Sequence, residues 1–244
     1  MDPVRALAEQ ARQCVELLLR GRAVALELDA DEQATADLYT AACRVIMRMV
    51  VTRLAEARGL LSATRPDPGG LDGLLEELER SSPEARARLH DAWPRVLEWS
   101  RAPRACARAL AQPPDDGDLF CRGDARGDVR GDGAQRALAR LESPIAAPDD
   151  ELVYRLLTLL FRVARRVREG AGWRTITAPV DLRAWPSEAV GVVYEHLAYE
   201  IWVRQQVVVP WPDVEVGDVA VGAGQAAHEA ERVLAQLPQT QHRQ

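Results

Sequence analysis

The residues best suited to chemistry lie toward the end of the chain. Val214-Glu215-Val216-Gly217-Asp218-Val219-Ala220-Val221-Gly222-Ala223-Gly224 reads as a strand running into a Gly-x-Gly turn, and the residues through Ala230 read as a helix start. That order is the general form of a loop holding a phosphate or a cofactor, because glycines let backbone N–H groups approach the ligand closely. Asp218, Gly222 and Gly224 are therefore the candidate cofactor-binding residues. A complete site of this kind needs an acidic ribose ligand about 20 residues further on, after a second strand. The 20 residues after Gly224 read instead as one helix and a polar tail.

A second constellation is basic. Arg162, Arg165, Arg166 and Arg168 fall at the end of a helix expected over Glu151 to Arg168. Arginines in a last helical turn meet the negative end of the helix dipole. The same four could instead contact nucleic-acid phosphates, which fix register without reading bases. Both readings stand on the sequence. With a net charge of −6, the chain as a whole does not draw in DNA, so any contact must be a local arginine patch.

What is missing excludes several activities. All 31 basic residues are arginine. A P-loop needs its lysine, and so does a Schiff-base enzyme. Pro212-Asp213-Val214-Glu215-Val216 starts like a nuclease motif that ends in lysine, but valine closes it. The four cysteines, Cys14, Cys43, Cys106 and Cys121, are too scattered for a zinc or redox motif, and Cys14 and Cys43 fall on apolar helix faces as buried thiols. No metal site is expected. Three RGD triplets, Arg122-Gly123-Asp124, Arg126-Gly127-Asp128 and Arg130-Gly131-Asp132, lie in a loop from Gln112 to Gly133 and read as a solvated expansion of a surface turn. They lack the alternating acids and terminal glutamate of a calcium loop.

The elements that must position these groups read as mainly α, a multi-helix domain with a few short strands and a small C-terminal strand–loop–helix. Residues 1–205 form the helical domain and 206–244 the C-terminal segment. Pro3 to Arg20 places Val4, Leu7, Ala11, Cys14, Val15 and Leu18 on one face, and Gly21 ends it. Asp29 and Glu32 form a capping-box-like start for a long helix through Arg58. From Leu38 to Leu61 that helix is apolar over most of its circumference, with Asp37, Thr40, Arg44, Arg48 and Arg58 as a narrow polar stripe. Such a helix belongs in the middle of a helical domain. Gly59 is placed to take the left-handed conformation that ends it. Arg53 falls inside the apolar face, so a carboxylate is expected beside it, from Glu56 or a neighbouring helix.

Further helices are expected over Leu71–Arg80 and Pro83–Ser100. Ser82 caps the second and Pro94 kinks it. Asp149 and Asp150 cap the helix from Glu151, with Leu152, Leu156, Leu159, Leu160 and Val163 inward. Arg174 to Val180 reads as extended. A helix from Ser187 to about Gln205 carries Tyr194 and Glu195, read as a packed tyrosine and a structural carboxylate.

Three segments together resemble a known family. The long helix carries Leu38-Tyr39 and Ala55-Glu56-Ala57-Arg58-Gly59-Leu60-Leu61. Asp116-Gly117-Asp118-Leu119-Phe120 looks like a G-G-L-F turn, and Val190-Gly191-Val192-Val193-Tyr194-Glu195-His196-Leu197 looks like an L-G-x-x-Y-E-x-L-L helix. In this order they resemble the helical region upstream of the catalytic domain in type IIG restriction–modification enzymes and in BREX- and DISARM-like DNA adenine methyltransferases, over residues 35–200 or so. Asp218, Ala220, Gly222, Gly224, Glu229 and Ala230 are similar to that family's first S-adenosylmethionine motif, whereas Val219, Val221 and Ala226 depart from it. The family's catalytic (N/D/S)-P-P-(Y/F/W) loop has no counterpart. Pro113-Pro114 lies between Gln112 and Asp115, without the adenine-gripping amide or the stacking aromatic.

The resemblance implies a non-catalytic module of a DNA modification or phage-defence system. It would be a split or truncated methyltransferase-like protein that positions duplex DNA or scaffolds a methylase subunit or other defence protein. No cofactor is expected for the chain alone. An alternative is an S-adenosylmethionine-dependent methyltransferase completed by a partner chain. Another is a helical protein-interaction module unrelated to DNA, which a spatial grouping of Arg44, Arg48, Arg162, Arg165 and Arg166 would oppose. With no membrane-length apolar run and no signal-peptide pattern, the expected location is cytoplasmic.

Overall fold

In the computed structural model the described residues are 3–21, 32–61, 69–101, 119–120, 122–123, 133–169, 172–183, 185–186 and 189–197. The helices are α1 (Pro3–Gly21), α2 (Glu32–Ala57), α3 (Gly70–Arg80), the single turn α4 (Pro83–Arg86), α5 (Ala92–Trp99), α6 (Gly133–Leu141) and α7 (Asp150–Phe161). Strands β1 (Arg162–Glu169) and β2 (Gly172–Pro179) form an antiparallel pair, and residues 189–197 are helical again as α8. The protein is mainly α-helical, as its hydrophobic periodicity predicts.

Helix α2 is the centre. Of residues 41–52 every one but Arg44 is buried. Val45, Ile46, Met49 and Val51 are among the side chains cut off from solvent. Burying each such side chain contributes roughly 1.5–3 kcal/mol, so this helix anchors the core. It packs on α1, α3, α5 and α6, while α7 closes the other side against α1 and α3. Gly59 takes φ 69°, and the α2 terminus is a Schellman motif: Gly59 N–H donates to the Glu56 carbonyl at 2.9 Å and Leu60 N–H to the Ala55 carbonyl at 2.9 Å.

Local capping chemistry sets other boundaries. Ser82 Oγ accepts from Ala85 N–H at 3.3 Å, and Asp149 Oδ1 accepts from Leu152 N–H at 2.8 Å. Asp150 acts elsewhere. Its Oδ1 accepts from Ala92 N–H at 2.9 Å, so it caps α5, whose own N-cap residue Asp91 makes no side-chain bond. Its backbone N–H donates to the Leu89 carbonyl at 2.9 Å. Burial raises the pKa of this carboxyl. Arg86, also buried, donates to the Leu78 and Ser81 carbonyls at the end of α3, pairs with Glu151 at 2.7 Å, and lies 4.0 Å from the Tyr154 ring centre.

Three expectations need correction. The helix expected over Pro83–Ser100 is broken at residues 87–91 and not kinked at Pro94. A proline ring clashes with the carbonyl four residues before it, here His90, so a continuous helix cannot enter Pro94 from upstream. Pro94 instead sits in the first turn of α5, where its missing N–H costs nothing.

The helix expected to reach Arg168 stops at Phe161, and Arg162 opens a strand. Val163 and Val167 fit both a helical and an alternating pattern. In a helix Arg162 and Arg166 would repel each other four residues apart. As a strand the segment pairs with Thr175, Ile176 and Thr177, all good strand formers. The four arginines therefore do not sit at a helix end.

The loop from Gln112 to Gly133 is not wholly a solvated expansion. Leu119 and Phe120 are buried in the core. A Cβ on Gly123 would overlap the α6 backbone at Ala139, so the first RGD glycine is packed against that helix.

Candidate functional site

Three groups of polar side chains stand out among the described residues. The most buried is centred on Glu142, just past α6. Arg48 lies inside α2 with its side chain closed to solvent. Its Nη1 pairs with Glu142 Oε1 at 2.7 Å and its Nε donates to the Leu119 carbonyl at 2.6 Å. Arg101 reaches the same carboxylate oxygen at 2.7 Å, and Gly123 N–H donates to Glu142 Oε2 at 3.1 Å. Burial pushes the Arg48 guanidinium below its usual range, while Glu142 pulls it back up. Arg48 thus belongs to the core and not to a surface stripe. Glu142 thus takes three protein donors, from Arg48, Arg101 and Gly123, while Arg101 Nε is buried without a hydrogen-bond partner. The arrangement suits Glu142 to holding the turn at residues 119–123 on α2 and α6.

The second group joins the end of α2 to α3 and β1. Arg53 pairs with Asp72 at 3.0 Å and approaches Glu56 at 3.7 Å, which meets the expectation of a carboxylate beside it. Glu56 Oε1 accepts from Leu71 N–H at 2.8 Å, and Gly70 beside it takes φ +57°, where a Cβ would strike that carboxylate. Glu56 Oε2 and Arg53 Nε are buried without hydrogen-bond partners. Burial pushes the Glu56 carboxyl up to about 7, against the opposing pull of Leu71 N–H and Arg53.

A carboxyl near 7 can exchange a proton at neutral pH, but this one is closed over by the start of α3, and structural ion-pair networks shift pKa values as active sites do. Its consequence is for stability. The folded chain holds this proton more tightly than the unfolded chain, whose glutamates titrate near about 4.3. The contribution is fully present below about 4.3 and is lost as pH rises through about 7. Denaturant unfolding at about pH 5 and about pH 8 should therefore show wild type losing more stability over that interval than Glu56→Gln, which keeps the oxygen facing Leu71. Equal losses in the two proteins would count against the buried-carboxyl account.

The third group is the strand pair. Arg162, at its root, is 8% exposed and held in a two-pronged contact with Glu79, Nε to Oε1 at 2.9 Å and Nη2 to Oε2 at 3.2 Å, with Asp72 3.8 Å away. The Glu79 contact raises the pKa of this guanidinium further. Arg162 is therefore engaged within the protein. Arg168 is exposed. Arg165 and Arg166 lie opposite Ile176 and Thr175 in the antiparallel register.

The structure does not bring together the five arginines that a DNA face would group. Arg48 is internal, Arg162 is ion-paired at the α3 end, and Arg44 is an electrostatic neighbour of Tyr194. Tyr194 is packed against the core and burial raises its pKa, whereas Glu195 is exposed and His196 lies 3.6 Å from Glu9 of α1. Asp218, Gly222 and Gly224 lie outside the described residues, as do Asp29 and the whole of 206–244. Among the described residues no group of three His, Cys, Asp or Glu is placed to hold a metal ion. No helix among them is long and apolar enough to cross a membrane. Cys14 and Cys43 are buried free thiols, as their helix faces predict.

Sequence reasoning did not single out Glu142 or Glu79. Neither sits in a motif, and their arginine partners are 94 and 83 residues away in the chain. Comparison with protein families, with characterised proteins and with solved structures finds no match.

Proposed function

We propose that this chain is a non-catalytic, methyltransferase-like module of a DNA modification or phage-defence system, which positions duplex DNA or scaffolds a methylase partner. The observation that carries the reading is the meeting of the three resembling segments around one helix. Arg48 of the first donates to the Leu119 carbonyl of the second, and Tyr194 of the third packs against the core that includes Cys43 of the first, with Arg44 close enough to act electrostatically on its hydroxyl. Segments some 70 residues apart in the chain (Arg48 and Leu119 are 71 apart) thus serve one packing unit. A cofactor role for Asp218, Gly222 and Gly224 belongs to the same reading only if a partner chain completes the sheet.

A second reading, a helical protein-interaction module unrelated to DNA, is favoured by a separate observation. Arg48 and Arg162, two of the arginines a DNA face would use, are engaged by the protein's own carboxylates, Glu142 and Glu79.

Fluorescence anisotropy with the full chain and two unrelated duplexes, at several salt concentrations, separates the readings. The DNA-positioning role predicts weak binding of equal strength to both duplexes and steep loss with salt, since each neutralised phosphate adds to the slope. Absence of binding at low salt would leave the scaffolding role. Incubation with labelled S-adenosylmethionine and mixed duplex should give no methyl transfer, and transfer well above a no-protein control would overturn the non-catalytic assignment.

A further inference from the structure

We infer that Arg53, Glu56 and Asp72 form a proton-operated latch, in which ionisation of Glu56 draws Arg53 away from Asp72 and passes Asp72 to Arg162 at the root of the strand pair.

The cluster sets one cation between two carboxylates. Arg53 Nη2 holds Asp72 Oδ2 at 3.0 Å, whereas its Nη1 stands 3.7 Å from Glu56 Oε2. Three polar atoms of the cluster are buried without a hydrogen-bond partner: Arg53 Nε, Glu56 Oε2 and Asp72 Oδ1. Glu56 is not free to turn away. Its Oε1 is fixed by Leu71 N–H at 2.8 Å, and the left-handed Gly70 brings the backbone so close that a Cβ there would strike the carboxylate.

Charge balance identifies the state to which this geometry belongs. With Glu56 neutral, Arg53 and Arg162 face Asp72 and Glu79, and each guanidinium holds one carboxylate. An ionised Glu56 adds a further buried negative charge whose Oε2 has no donor. A buried charge left without a partner is strongly unfavourable. Desolvation accordingly raises this carboxyl to about 7, and repulsion from Asp72 adds to it, against the pull of Leu71 N–H and Arg53. The observed arrangement is that of the protonated acid.

Once the proton leaves, Arg53 is the nearest remedy. Its Nη1 needs to advance by about 1 Å to reach the length of a charge-assisted hydrogen bond. The guanidinium is a rigid planar fork, so a swing toward Glu56 lengthens its contact with Asp72. Arg162 Nη1 already stands 3.8 Å from Asp72 Oδ1, the oxygen without a partner. One proton on α2 thereby changes how α3 grips β1, and ties the strand root to pH in the neutral range.

The surrounding charges are engaged elsewhere. On α3, Glu76 acts on Arg162 from an exposed position beside Arg80, and Glu77 is paired with Arg95 of α5. Past the end of α2, Arg58 donates to the Trp185 carbonyl and Arg183 to the Ala57 carbonyl.

The test is nuclear magnetic resonance of the isotope-labelled full chain from about pH 5 to about pH 9, following the Leu71 amide and the Nε–H signals of Arg53 and Arg162. In wild type all three should shift together with one midpoint at about 7. In Glu56→Gln, which keeps the oxygen facing Leu71 but cannot ionise, that transition should vanish from all three. In Asp72→Asn, at a side chain 37% exposed, Leu71 and Arg53 should still titrate, at a lower midpoint because the repulsion is gone, while Arg162 stays still through the transition.

A shift of Leu71 alone in wild type would mean that Glu56 ionises without moving its neighbours, and the latch is overturned. Failure of Arg162 to join Leu71 and Arg53, or an Arg162 shift that survives in Asp72→Asn, overturns the relay to the strand root. No transition at any of the three signals would show that Glu56 does not exchange its proton in this range, which overturns the inference outright.

Discussion

Replacing Glu142 with alanine should destabilise the fold by about 3–5 kcal/mol, the range expected when one partner of a buried ion pair is removed. The asymmetry between its two arginines explains the size. Arg101 retains 19% of its side-chain exposure and can turn to solvent, but Arg48 has none. Its guanidinium keeps its charge under all ordinary conditions, so the loss of Glu142 removes the carboxylate that balances a buried cation in the middle of α2. Urea unfolding followed by circular dichroism measures the loss. Adding Arg48→Met to the Glu142→Ala variant should recover more than half of it, because an unbranched apolar side chain removes the stranded charge. A single-variant loss below about 1 kcal/mol would place the pair among weak surface bridges and refute its role as a hub.

The second large effect belongs to a glycine that resembles a surface repeat. Gly123→Ala should cost about 1–3 kcal/mol, toward the upper end, as overpacking against an unyielding neighbour does. The added methyl would overlap the Ala139 nitrogen and stand 2.5 Å from its Cα and 2.6 Å from the Leu138 carbonyl carbon. These are backbone atoms of α6 and cannot rotate aside. The turn must lift, and it then gives up the bond from Gly123 N–H to Glu142. A drop in Tm of about 5–10 °C is the expected reading for a chain of this size. An unchanged Tm would mean that the turn is not seated on α6.

The parts legible in the sequence are those with local causes. The apolarity of Val45 to Val51, interrupted by Arg48 alone, places α2 at the centre without reference to any other segment. Gly59, Ser82 and Asp149 mark boundaries through the conformation or hydrogen bond each supplies to its own turn. Arg53 could be given a carboxylate partner by helical geometry alone, since a charge on a buried face requires one. The parts that were not legible have causes elsewhere in the chain. Val163 and Val167 satisfy two periods at once, and only pairing with β2 decides between them. Arg48 reads as polar-stripe because its partner Glu142 is 94 residues away. For the candidate site the same division holds. The arginines of 162–168 are visible as residue types, but the engagement of Arg162 depends on Glu79 and on the turn from helix to strand at that residue, neither of which a helix wheel shows.

The cap that Asp150 places on α5 has a consequence for how the chain acquires its structure. An eight-residue helix is too short to persist alone in water. The donor at its start is satisfied by a carboxylate 58 residues later, and Leu89 just before it is bound by the backbone of that same residue. Helix α5 therefore depends on tertiary contacts, which α2, α3 and α7 all supply, and the residue that begins α7 adds the cap. The bond between them is a non-local closure, and Trp93 and Trp99 of α5 are buried in the same core. Removing that one carboxylate should therefore loosen α5 and α7 together, and in a chain whose other four tryptophans are replaced by phenylalanine the emission of Trp93 and Trp99 should report it.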